Sequence, residues 1–165
     1  MFIRKFLIVN CIISIILIIG WRCYEDMFKC NVINDEVLFE IYIPRINLRK
    51  LVYTMDSSLN NVDYNVEILK QSNLDNNLFF LASHSGGGDA SYFDSLIYLE
   101  KGDFIFISLK DKRLSFIVEE MFYIQKNGYF EVNYVSEGNS LFLITCSLKY
   151  IDKQLIVKSK MICEC

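Results

Sequence analysis

From residue 37 onward, short apolar runs alternate with polar turns at the spacing of strands rather than of long helices. Val37-Leu38-Phe39-Glu40-Ile41-Tyr42-Ile43 reads as a strand, because β-branched and aromatic side chains suit a pleated surface. Pro44, the only proline, has no N–H to donate and ends or edges that strand. Leu48 to Tyr53 supplies a second short strand. Val62, Val66, Leu69 and Leu74 recur at near-helical spacing and predict one short amphipathic helix over 63–74. Leu78-Phe79-Phe80-Leu81-Ala82 is a continuous apolar run suited to a buried strand, and Ser85-Gly86-Gly87-Gly88-Asp89 after it is turn chemistry. The triple glycine lacks the Gly-Lys-Ser/Thr ending of a phosphate loop.

Tyr92-Phe93-x-x-Leu96-x-x-Leu99 again has helical spacing. Strands are predicted at Phe104–Ile107, after the turn Glu100-Lys101-Gly102-Asp103, and at Leu114–Met121, after the turn Asp111-Lys112-Arg113. The long connection from Phe122 to Ser140 contains Asn127-Gly128 and Glu137-Gly138-Asn139 and reads as a hairpin pair or a binding loop. Leu141–Thr145 and Gln154–Lys158, joined by residues 147–153, close the pattern. Strands this closely spaced imply an all-β sandwich or barrel.

A length of 165 residues fits one domain plus an appendage. The net charge of −3 gives no bulk attraction for phosphates, so a nucleic-acid partner is not expected. The appendage is N-terminal: Arg4 and Lys5, an uncharged apolar stretch from Phe6 to Trp21, then Arg22. Two cations, an apolar run and an interfacial tryptophan describe a membrane helix that starts in the cytoplasm. The run is slightly short for a full span, which makes a cleaved signal peptide the rival reading, but no small-x-small cleavage site follows it. Residues 1–23 are therefore expected to be a single-pass anchor in the cell membrane, 24–36 a stalk, and 37–165 an extracellular globular domain.

Six cysteines and one histidine carry the candidate chemistry. Cys11 lies in the apolar helix. Cys23, Cys30, Cys163 and Cys165 flank the exported part, where free thiols and a disulfide between the ends are both open. Their Cys-x₆-Cys and Cys-x-Cys spacings are not those of a zinc knuckle. Cys146 ends the apolar run Leu141-Phe142-Leu143-Ile144-Thr145, and His84 ends the run before Ser85-Gly86, 62 residues earlier. Any Cys/His chemistry in this chain must use His84.

The order of these landmarks resembles the sortases, cysteine transpeptidases of Gram-positive cell surfaces. Ile43-Pro44-Arg45-Ile46-Asn47-Leu48 followed by Leu51-Val52-Tyr53 is similar to the family's opening strand pair. Ser83-His84-Ser85-Gly86, Phe93-Asp94-Ser95-Leu96 and Gly102-Asp103 are similar to its histidine segment, and Leu143-Ile144-Thr145-Cys146 to its cysteine segment. Together these cover nearly all of residues 38–160. The resemblance implies a closed β-barrel of roughly eight strands with one or two short helices, and the short C-terminus looks most like a class D or small housekeeping type. Ser83 stands where the family usually has glycine. The larger departure is on the last strand, where the family carries an arginine: here Asp152-Lys153-Gln154-Leu155 puts Gln154 in its place with Lys153 beside it, and no arginine follows Arg113.

The resemblance further implies that Cys146 attacks a Leu-Pro-x-Thr-Gly-like sorting signal of a secreted protein. A thioacyl intermediate then passes to an amine of a peptidoglycan precursor or pilin, with His84 as acid and base. Gln154 or Lys153 would complete the catalytic set, and Thr145 and Ser83 would touch substrate. No cofactor is implied, and Glu119-Glu120 and Asp89 read as solvated edges rather than calcium ligands. The alternative is a membrane-anchored, catalytically impaired peptide-binding module, because Gln and Lys lack the planar fork of guanidinium. A papain-like hydrolase fails on order, since its nucleophile precedes its histidine.

Overall fold

The computed structural model describes residues 36–126 and 138–164. Eight strands form one sheet: β1 Val37–Ile43, β2 Leu48–Tyr53, β3 Glu67–Ile68, β4 Leu78–Ala82, β5 Phe104–Ser108, β6 Arg113–Gln125, β7 Ser140–Cys146 and β8 Lys153–Glu164. Their order is β2-β1-β5-β6-β8-β7-β4-β3. The two edge strands approach at a single parallel bridge from Val52 to Val66, so the sheet curls into a nearly closed barrel. Every neighbouring pair is antiparallel except β4 and β7. Alternation fills the interior with residues such as Phe39, Ile41, Ile43, Ile105, Leu143 and Val157, and Phe79 meets Phe39 and Phe116 edge-on at 5.5 and 6.0 Å.

Strands β4 and β7 are apolar on both faces. Leu78, Phe80, Phe142 and Ile156 form a second buried cluster opposite the barrel interior, and the Phe80 and Phe142 rings stack at 4.9 Å. Two-sided burial is why these strands read as unbroken apolar runs instead of alternating ones.

The helix expected over 63–74 is not formed. Asn60, Asn61 and Asp63 turn the chain through side-chain hydrogen bonds, and Val66 and Ile68, two residues apart, enter strand pairing with their side chains in the core. Local Asn and Asp bonding competes with helix here, and the period of two wins. The helical spacing at 92–99 becomes a 3-10 turn, Asp94–Tyr98, and two further 3-10 turns occupy Pro44–Ile46 and Leu74–Asn76. Strands β6 and β8 outrun their apolar signals because they pair along almost their whole length, through bulges at 115/116 and 118/120. The expected anchor, most of the stalk, Cys11, Cys23, Cys30 and Cys165 lie outside the described residues, as does most of the connection between β6 and β7. Cys163 lies on β8 opposite Ser115.

Candidate active site

The parallel pairing of β4 with β7 fixes the site. Leu78 faces Ser140 and Ala82 faces Ile144, a constant offset that carries His84 and Cys146 to the same level two residues later. Hydrogen bonds continue the match past the strand ends. The Ser83 amide donates to the Ile144 carbonyl at 3.3 Å, and the buried Thr145 hydroxyl donates to the Ser83 carbonyl at 2.8 Å. The Ser85 hydroxyl donates to the Cys146 carbonyl. His84 and Cys146 thus sit on two chain ends clasped to one another.

The segment after His84 must reverse direction at once. Gly86, Gly87 and Gly88 take φ of +116°, +81° and +155°, conformations that a Cβ disfavours. The turn is held by Gly86 N–H donating to Asp94 Oδ1 at 2.7 Å, by the Ser83 hydroxyl donating to the Ala90 carbonyl at 3.2 Å, and by Phe93 N–H donating to the His84 carbonyl at 3.2 Å.

Cys146 is a partly buried free thiol. Alternation along β7 turns Thr145 inward and Cys146 to the opposite face, the one that carries Phe142 and Ile144. Across the antiparallel pair, Cys146 faces Gln154 of β8. Directly opposed residues of this kind have their Cβ atoms about 5 Å apart on one face. Lys153, one residue earlier, is directed to the other face, and its ammonium lies 5.0 Å from the Tyr150 ring centroid. Tyr150 in turn meets Tyr123 edge-on at 5.0 Å.

Of the residues singled out in the sequence, Cys146 and Gln154 face each other across β7 and β8, His84 stands two residues past the end of β4 with its ring on Asp63, and Lys153 is drawn to Tyr150 in the β7–β8 loop. Ser83 and Thr145 are buried and bonded to each other. Thr145 also lines a small cleft beside Cys146 with Ser85, Phe93, Asp94, Tyr123 and Leu148 among its other walls. The sequence reading missed Asp63, whose Oδ1 lies 3.2 Å from His84 Nε2. The signal was the Asn61-Val62-Asp63 string, a turn former that apolar spacing had assigned to a helix.

The sortase-domain family model matches residues 41–162. The chain belongs to the sortase family. Its barrel superposes on that of sortase C from Streptococcus pneumoniae with a TM-score of 0.65 at 22% identity, covering 85% of this chain and 74% of that one. A Clostridium perfringens sortase D5 transpeptidase gives 0.63 at 19%, over 77% and 79% of the two chains. Sortase A from Corynebacterium diphtheriae gives 0.61 at 21%, over 77% and 61%. At such identities the likeness is one of fold, and it spans classes C, D and A. No curated protein matches the chain.

Proposed function

We propose that this sortase-family chain is an active cysteine transpeptidase that cuts a Leu-Pro-x-Thr-Gly-like signal and passes the acyl part to an amine on a cell-wall precursor or a pilin. The observation that carries the reading is the constant β4/β7 register, which brings the only histidine level with Cys146. A Cys146 thiolate attacks the scissile carbonyl carbon, because the thiolate is the nucleophilic form and an ordinary thiol is only about a few per cent ionised near neutrality. The C–N bond breaks as His84 gives its proton to the leaving amine. An incoming amine then attacks the thioester, surrenders a proton to His84, and the C–S bond breaks to restore the thiolate.

Gln154, opposite Cys146, is the donor to the oxyanion in this reading, and Thr145 lines the cleft beside Cys146. A neutral amide replaces the family's guanidinium at a loss of about 3 kcal/mol, roughly a hundredfold in rate, so slow turnover is expected. The anchor, the extracellular placement and the membrane partner belong to the same proposal, supported by the apolar stretch from Phe6 to Trp21 between Lys5 and Arg22. The test is turnover of fluorogenic sorting-signal peptides by the full chain in detergent. Slow cleavage that is lost in Cys146→Ala and His84→Ala supports the reading; peptide binding with no Cys146-dependent product contradicts it and leaves the impaired binding module.

A further inference from the structure

Asp63 lies in the connection between β2 and β3, 21 residues before His84, and its Oδ1 meets His84 Nε2 at 3.2 Å. Both side chains are about half or more exposed, 66% and 47%, and a surface pair of this kind is by itself worth little. Two features set it apart. The loop that carries Asp63 is built by its own side chains: Asp63 N–H donates to Asn61 Oδ1 at 2.8 Å and Val62 N–H to Glu67 Oε2 at 3.1 Å. Beyond that, one dipeptide holds both partners. Phe93 N–H bonds the His84 carbonyl, while the Tyr92 hydroxyl donates to the carbonyl of Tyr64, next to Asp63, at 3.1 Å. Tyr92 is itself covered by the Lys50 ammonium, 3.7 Å from its ring centroid.

We infer that Asp63 is the positioning residue for His84: it accepts a hydrogen bond from Nε2–H, orients the imidazole and leaves Nδ1 as the nitrogen that exchanges protons with the reacting amines. The inference rests on His84 being the acid and base of the proposed reaction. A neutral imidazole carries one N–H and one lone pair, so whichever nitrogen a carboxylate occupies determines which nitrogen remains for chemistry. The imidazolium would keep Nε2–H on Asp63 while Nδ1–H goes to the leaving amine, and the neutral ring would take the next proton back at Nδ1. Asp63 does not itself gain a proton.

A single histidine makes the bond directly observable by NMR of the full chain labelled with ¹⁵N only in histidine. In the wild type a ring proton bound to Nε2 is resolved; in Asp63→Ala it exchanges with water and disappears, kcat falls about tenfold and KM and melting temperature stay as they were. Asp63→Asn keeps an acceptor oxygen at the same place and restores both the ring-proton signal and most of kcat. A resolved Nε2 proton that survives in Asp63→Ala, or an unchanged kcat in that variant, overturns the inference. Full turnover in His84→Ala instead overturns the catalytic reading beneath it, and the NMR result separates the two failures.

Discussion

The Thr145 hydroxyl donates a 2.8 Å hydrogen bond to the carbonyl of Ser83, 62 residues earlier in the chain. That offset is the one that pairs β4 with β7, so the bond carries the match of the parallel ladder past the end of β4. Both residues are buried, and the next residue on each side is a candidate catalytic one. The clasp thereby converts strand register into the relative placement of His84 and Cys146.

Removing that bond should loosen the site from beneath. Thr145→Val keeps the shape but leaves the Ser83 carbonyl without its partner, at a cost of about 1–3 kcal/mol. Urea titration should show that loss in the midpoint with an unchanged slope, together with reduced turnover. A variant as stable and as active as the wild type would show that the bond does not position anything.

Gln154 gives a prediction of the opposite sign. Because it faces Cys146 across β7 and β8, Gln154→Arg should raise kcat for a sorting-signal peptide by about ten- to a hundredfold, and Gln154→Ala should lower it. Lys153→Ala should have the smaller effect, since its ammonium is directed to Tyr150. Steady-state kinetics of the three variants orders them; a larger loss in Lys153→Ala than in Gln154→Ala would reverse the assignment.

One asparagine bonds the backbone at the strand where the barrel closes. The Asn60 side chain accepts from Ile68 N–H at 2.8 Å and donates to the Ile68 carbonyl at 3.1 Å, two bonds that complete the exposed edge of β3. Asn60→Ala should destabilise the fold by about 1–3 kcal/mol and speed amide exchange first at Val66 and Ile68, beside the Val52 bridge. Hydrogen exchange followed by mass spectrometry measures it, and unchanged protection there would show that the edge holds without this bond.

Much of the barrel was legible because its strands are marked by residue type: Leu78–Ala82 and Leu141–Thr145 are apolar at every position except Thr145. What escaped were features whose cause is not local. Val66, Leu69 and Leu74 satisfy a helical period, yet Val66 pairs with Val52 and Ile68 with Leu81, contacts that no window of sequence contains. The site divided in the same way. His84, Cys146 and Gln154 could be singled out because each sits at or just past a strand end in a recognisable order. Asp63 was missed because its role depends on a loop folding back by 21 residues. Thr145 and Ser83 were expected at the substrate, and the hydrogen bond that joins them is a tertiary fact invisible in either segment alone.

In the proposed mechanism Cys146 carries the acyl group. Intact-mass spectrometry of the full chain, quenched in acid during turnover of a sorting-signal peptide, should show an adduct equal to the peptide up to its threonine. Peptide mapping should place it on Cys146 rather than on any of the other five cysteines. Hydroxylamine should discharge it, and Cys146→Ala should never form it. An adduct on another cysteine, or undiminished cleavage in Cys146→Ala, would contradict the account.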